Sequence, residues 1–187
     1  MISLTYGNDY PITPIVRPGS GAAMSGHGLQ TLTLFGATMT MGLAAGVFDL
    51  YAHTIMPGLR KTDDRTFVAS FQALDRAIIN PWFIGGTFLG ALVLTSAALL
   101  AGRRAPTAPW VAVALAGYAV AVVITFAVHL PLNDAIKAAG DPATVDVSVV
   151  RAQFHESRWV AWNLVRALTS TGAFACLTWA LIVGGGS

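Results

Sequence analysis

Histidines, amides and one guanidinium stand near the ends of long apolar stretches, and these are side chains that could do chemistry. His129 and Asn133 are four residues apart, and Asn163 and Arg166 are three apart, so each pair shares one side of a helix. A histidine titrates near neutral pH and can remove a proton from a substrate. Amide and guanidinium N–H groups can stabilise the resulting oxyanion. We therefore predict that the catalytic residues are His53, His129, Asn133, Asn163 and Arg166.

Other polar and aromatic residues near the same helix ends could bind a substrate. Asp49 precedes His53 by one helical turn inside an apolar run, where an unpaired carboxylate is costly, so His53 is its expected partner. Tryptophans offer flat surfaces on which a planar molecule can stack. The predicted substrate-binding residues are Asp49, Asn80, Trp82, Trp159 and Trp162.

The histidines also allow two other interpretations. His53, His129 and His155 could ligate heme b or a transition metal, with Asp49 orienting His53, whereas the leading interpretation requires no cofactor. In a further alternative, the polar residues serve helix packing, assembly or proton passage. The chain would then be a non-catalytic membrane subunit or a small transporter.

Apolar helices must position these side chains. The 187 residues are 55% hydrophobic and 11% charged, and the mean hydropathy is +0.63; an ordinary soluble domain has about 25% charged residues. A hydrocarbon layer about 30 Å thick needs about 20 helical residues, and four segments are long enough: Thr31–Met56, Pro81–Ala101, Pro109–Leu130 and Val160–Val183. We predict an all-α, integral membrane four-helix bundle, whose alternating crossings bring the polar helix ends to one side.

The remaining segments complete this organisation. Residues 60–80 carry apolar side chains at helical spacing and are predicted to form an amphipathic interfacial helix between spans 1 and 2. Residues 1–28 are predicted to be a flexible N-terminal tail rather than a signal peptide, followed by a four-span membrane domain, residues 29–187.

Composition also bounds the partners. The net charge is +2 with scattered basic residues, so nucleic acid is not an expected partner. The expected partners are the lipid bilayer, a lipophilic small molecule and O2. The small residues Gly85, Gly86 and Gly90 on the second span could pack either within the monomer or against a second copy of the chain in a homo-oligomer. We expect the protein to lie in a bacterial cytoplasmic membrane. The single cysteine, Cys176, excludes an intrachain disulfide.

Three segments stand out together by their order and spacing: residues 71–83 (FQALDRAIINPWF), 129–134 (HLPLND) and 159–166 (WVAWNLVR). They resemble the signatures of the anthrone oxygenase family of small membrane proteins. The resemblance implies a four-helix membrane fold and, as in characterised members, oxidation of polyketide anthrones to anthraquinones by O2. The residues that match by position are Asn80, Pro81, Asn133, Asp134, Trp162, Asn163 and Arg166.

The residue types and the resemblance together give one leading hypothesis. The protein is expected to be a membrane-embedded oxygenase that acts with O2 on a flat, lipophilic, anthrone- or phenol-like substrate entering from the bilayer.

Overall fold

The computed structural model describes residues 26–184, with side chains from residue 28 onward, and in this part all regular secondary structure is helical. The predicted N-terminal tail lies outside the described residues except for its last three. Three short π-helical segments, named π1 to π3, interrupt the α-helices. The elements in chain order are α1 (Gly26–Leu50), π1 (Tyr51–Ile55), α2 (Met56–Arg60), α3 (Asp64–Ile78), π2 (Trp82–Leu89), α4 (Gly90–Ala101), α5 (Ala108–Ile124), π3 (Thr125–His129), α6 (Leu130–Ala138), α7 (Val147–Gln153) and α8 (Glu156–Gly184).

Four continuous helical stretches are long and apolar enough to cross a membrane, which confirms the predicted bundle. Each contains most of one predicted span, and the stretches are Gly28–Arg60, Trp82–Ala101, Ala108–Ala138 and Glu156–Gly184. Their lengths differ in a way that matters for the site. The second stretch has 20 residues, whereas the first, third and fourth have 33, 31 and 29.

The longer stretches project beyond the second one at the end where the polar residues gather. At the opposite end the helices reach the same level. Gln30 near the start of α1 donates to Thr107, which precedes α5, and Gly184 at the end of α8 also lies close to Thr107. At about 1.5 Å per residue, a 20-residue helix spans the hydrocarbon. About ten further residues of each longer stretch therefore rise past the start of π2.

Small residues pack the bundle itself. Its core contains Tyr118, whose hydroxyl donates to the Phe88 carbonyl at 2.9 Å, and many alanines with no exposed surface, including Ala37, Ala44, Ala114 and Ala121. Short side chains let helix backbones approach closely, which is how membrane helices gain packing energy without a hydrophobic driving force.

The projecting helix ends support a second hydrophobic cluster, which we name the cap. It joins α2, α3, α6, α7 and the start of α8, and its buried residues are Met56, Phe67, Val68, Phe71, Ile136, Val150, Phe154 and Trp159. The predicted amphipathic helix is present as α3. Its apolar face is buried against protein, because Phe71 packs on Phe154 and Trp159 with ring centroids 4.5 and 5.7 Å away.

Aspartates stand at the N-termini of α3 and α7, where their side chains accept hydrogen bonds from the first turn of the helix. Asp63 accepts hydrogen bonds from the Thr66 backbone N–H and hydroxyl, and Asp146 accepts from Ser148 and Val149 at the start of α7. The bonds from the Thr66 hydroxyl and backbone hold the pKa of Asp63 below its usual value. The hydrogen bonds to the ionised Asp63 carboxylate therefore stabilise the fold at pH values above the ordinary carboxyl pKa, and this stabilisation is lost as the pH falls through the lowered pKa.

We expect Phe67→Ala to destabilise the cap by about 3–5 kcal/mol, because truncating a fully buried phenylalanine leaves a cavity. Phe67 contacts Phe71 and Phe154, and the Arg151 guanidinium lies 4.2 Å from its ring centroid. Unfolding in detergent followed by circular dichroism measures the loss. Leu74→Ala on the exposed side of the same helix is the control and should change the free energy of unfolding little; equal losses in both variants would contradict the buried cap.

The three π-helical segments all lie at the junction between bundle and cap. Prolines account for two of these segments, because Pro57 lies two residues after the end of π1 and Pro131 lies two residues after the end of π3. A proline has no N–H and its ring clashes with the carbonyl four residues earlier, and a widened turn relieves both problems. Such widened turns occur often at functional sites.

Candidate active site

A buried arginine forms the centre of the junction. Arg166, on α8, is 7% exposed and donates to the Asn163 side-chain oxygen at 2.7 Å and to the Thr125 hydroxyl at 3.1 Å. Its guanidinium carbon lies 4.1 Å from the centroid of the Phe48 ring. Asn163 is itself held by the Phe48 carbonyl at 3.0 Å. The amide and the ring therefore fix the guanidinium in one position.

No carboxylate among the described residues forms an ion pair with Arg166, and its Nε has no hydrogen-bond partner there. A buried charge without a counter-ion is costly. The site is therefore electrostatically suited to bind an anion, or an oxygen atom on which negative charge develops.

His129 ends π3 beside this cation. Its Nε2 lies 3.3 Å from the Trp159 carbonyl, and the two rings meet edge to face with centroids 4.8 Å apart. A carbonyl can only accept a hydrogen bond, so Nε2 carries the proton in this contact. In the neutral ring Nδ1 then holds the lone pair, and it has no hydrogen-bond partner among the described residues. Within residues 26–184, the ring nitrogen without a hydrogen-bond partner is therefore Nδ1, which is itself buried.

A chain of polar contacts runs from the Trp159 side chain toward the surface of the cap. The Trp159 indole donates to Asn133 at 2.8 Å, and Asn133 donates to Asp75 at 2.6 Å. Lys137 lies 2.7 Å from the other Asp75 oxygen and 3.1 Å from the exposed Asp134. These contacts pair the buried carboxylate and fix the indole and the amide.

A cleft of about 80 Å³ opens among these residues. Its walls come from α1, π1, α3, π2, π3, α6 and α8, and His129, Arg166, Asp75 and Asn133 line it together with apolar and aromatic side chains. We name this cleft the inner lobe. The residues that could act on a ligand thus share one space at the junction between bundle and cap.

A second cleft, of about 280 Å³, adjoins the first and shares Phe48, Phe83 and Arg166 with it. We name it the outer lobe. Apart from Thr125 and Arg166 its lining is apolar. It reaches the outside of the bundle between π2 and π3, where Leu89 is 40% and Phe126 56% exposed.

The structure brings together five residues predicted from sequence: His129, Asn133, Trp159, Asn163 and Arg166. Three of them form the buried stripe of α8, where Trp159, Asn163 and Arg166 face inward. Asn133 and Asn163 are fully engaged by neighbouring groups. Their amides contact Asp75, Trp159, Arg166 and the Phe48 carbonyl.

The other predicted site residues lie elsewhere. Asp49 and His53 are paired, 3.5 Å apart, but their side chains are 60% and 59% exposed on the outside of the bundle. Asn80 caps π2 by accepting from the Phe83 N–H, and Trp82 and Trp162 are exposed. The one-turn spacing correctly paired Asp49 with His53, but the inward face of α1 is the one that carries Phe48.

The three candidate metal ligands are not assembled. His53 points outward, and His155 is exposed in the turn between α7 and α8, with a positive φ of 52°. Histidine tolerates this left-handed conformation better than most residues. In the described part of the chain, no three or more His, Cys, Asp or Glu side chains converge in a way that could hold a metal ion.

Sequence reasoning missed Phe48, Tyr51, Asp75 and Thr125, all of which line the inner lobe. One signal was present for Asp75, which lies four residues after Phe71 on the face of α3 that also carries Phe67. A carboxylate on a buried helical face needs partners, and Lys137 and Asn133 provide them.

The fold and the site together define a small integral membrane protein with a cleft, between bundle and cap, that contains a histidine and a buried arginine. The chain belongs to the anthrone oxygenase family, whose family model matches residues 80–176. This range includes His129, Asn133, Trp159, Asn163 and Arg166, and it begins after Asp75. No curated protein and no solved structure matches the chain.

Proposed function

We propose that the protein is an oxygenase that uses O2 to oxidise a flat, lipophilic, anthrone- or phenol-like substrate held in the inner lobe. Two findings support this proposal: the family membership and the placement of His129 and Arg166 in one cleft. The observation that carries it is the buried guanidinium that has no carboxylate partner within residues 26–184, since this reaction passes through an oxyanion.

In the first step, Nδ1 of His129 removes a proton from the methylene carbon of the substrate. The electron pair spreads through the rings onto the carbonyl oxygen, which becomes phenolate-like. Arg166 stabilises this oxyanion, and Asn163 and Phe48 hold the guanidinium in place for it. Proton removal is thereby coupled to charge stabilisation within one pocket.

In the second step, the electron-rich carbon forms a bond to O2, and O2 is reduced to the peroxide level. The peroxide recovers the proton from His129. Loss of water then breaks the O–O bond and converts the carbon to a second carbonyl group. One anthrone and one O2 thus give one anthraquinone and one water, so the proposed sequence balances without a resident cofactor.

Oxygen uptake tests the proposal. Purified protein in lipid vesicles is supplied with anthrone, and O2 consumption is recorded beside anthraquinone formation, with protein-free vesicles subtracted for uncatalysed oxidation. We expect equal amounts of O2 consumed and anthraquinone formed, in proportion to the protein added. Rates no higher than in protein-free vesicles, with anthrone and with hydroxylated anthrones, would refute the proposal. Metal analysis and a visible spectrum of the same sample test the cofactor-free mechanism.

A further inference from the structure

We propose that the two lobes form a lateral binding site for flat lipophilic anions, which enter from the bilayer between π2 and π3 and place their charged group on Arg166. The proposal deepens the proposed function by naming the charge and shape of what the cleft selects. It concerns binding alone and can be tested without turnover.

The charge preference follows from the surroundings of Arg166. Its two NH groups are occupied by neutral partners, Asn163 and Thr125, and its Nε has none among the described residues. The cation also lines both lobes, so a ligand in either can reach it. A hydrogen bond that involves an ionised group is roughly twice as strong as a neutral one. An anionic head is therefore the ligand group that best compensates this buried charge.

The negative charge of Asp75 does not cancel this preference. Lys137 pairs with Asp75 at 2.7 Å, and Asn133 donates to it at 2.6 Å, on the cap side of the inner lobe. The Asp75 carboxylate is thus compensated by its own partners, whereas no carboxylate in the described part of the chain compensates the guanidinium.

The shape preference follows from the outer lobe. Phe48 and Phe83 line it together with Phe88, and these rings pack against one another with centroids 6.3 to 6.4 Å apart. Leu89 and Phe126 border the opening, and both lie on helices that cross the membrane. Leu89 is seven residues into its span, about 10 Å below the start of π2. A planar aromatic body can therefore pass from the lipid to Arg166 through an apolar opening.

Two matched probes test the charge preference. We would measure the binding of 2-naphthoate and of 2-naphthamide to the protein in phosphatidylcholine nanodiscs by equilibrium dialysis, with empty nanodiscs subtracted for partitioning. We expect the carboxylate to bind at least about tenfold more tightly than the neutral amide, as one charge-assisted contact would give. Equal affinities in the wild-type protein would overturn the proposal.

Variants of Arg166 locate the preference. Arg166→Gln is expected to abolish the difference between the two probes, whereas Arg166→Lys keeps the charge and should keep most of it. The lysine variant also covers the risk that the glutamine variant fails to fold. A preference that survives in folded Arg166→Gln, or one that disappears in folded Arg166→Lys, would overturn the assignment to Arg166.

Two tryptophan substitutions on the same span test the opening. Leu89→Trp fills the rim of the outer lobe and should weaken naphthoate binding at least about fivefold or slow its association, since a bulky ring obstructs the apolar path. Leu100→Trp is the control, because Leu100 is also on the outside of the bundle, at 71% exposed, but lies near the far end of the span. Equal effects of the two variants would overturn the lateral route.

Palmitate distinguishes a flat anion from an acyl-chain anion supplied by the bilayer. We expect naphthoate to displace palmitate, and tighter binding of palmitate would overturn the shape preference.

The outcomes also separate this inference from the proposed function. If the protein binds naphthoate more tightly than naphthamide but does not oxidise anthrone, the anion site stands and the proposed oxygenase activity is refuted. If the protein oxidises anthrone but binds the two probes equally, the oxygenase activity stands and the anion site is refuted.

Discussion

Arg166→Gln should lower the rate of anthrone-dependent oxygen uptake by about 10²- to 10³-fold, the usual loss when one preorganised oxyanion-stabilising group is removed. Glutamine preserves much of the length and can still contact Asn163, but it has no positive charge. The oxyanion formed by proton removal would then remain unbalanced in an apolar cleft. The measurement is the initial rate in lipid vesicles at saturating O2.

Arg158→Gln is the matched control for this result. Arg158 is on the same helix and exposed in the cap, so it should retain the wild-type rate. The Arg166→Gln protein must also keep its helical circular dichroism signal. A folded variant that works within threefold of the wild type would exclude Arg166 as the oxyanion-stabilising group.

Much of the fold could be predicted because membrane crossing imposes simple rules. Unpaired backbone groups are costly in hydrocarbon, so long apolar stretches must be helical. The alternating path of four spans then places the start of α8 beside the end of π3. For this reason the structure brings together five of the residues that the sequence predicts to lie close to one another: His129, Asn133, Trp159, Asn163 and Arg166.

The rotation of each helix about its axis could not be obtained in the same way. Along α1, Phe48 faces inward, whereas Asp49, its neighbour in sequence, faces outward with His53. A pattern in which nearly every residue is apolar says little about which face packs on protein and which on lipid. The polar pair therefore looked like part of the site from its spacing alone, although it lies on the outer surface.

The cap could be predicted only in part. The amphipathic pattern of α3 is clear in the sequence, but a membrane surface and a protein surface demand the same apolar face. The length difference between the spans decides between them. Only because π1, α2 and α6 extend the first and third spans beyond the second can α3 pack on Phe154 and Trp159. Asp75 enters the site through this packing.

His129→Ala should lower the same rate by about 10²- to 10⁴-fold, the range for loss of a general acid–base group. The variant removes the nitrogen that accepts the substrate proton, while Arg166 remains in place on Asn163 and Thr125. Binding of 2-naphthoate should therefore change much less than the rate. A parallel loss of binding would instead indicate that the ring only supports the shape of the cleft.

His53→Ala gives the sharpest contrast, because the sequence places both histidines in one catalytic set and the structure separates them. His53 is exposed beside Thr54 and Asp49, with its ring outside both lobes. We therefore expect His53→Ala to keep the wild-type rate, and the double variant with His129→Ala to be no slower than His129→Ala alone. A large loss from His53→Ala would mean that the proton leaves the substrate on the outer face of α1, and the cleft around Arg166 would then not be the active site.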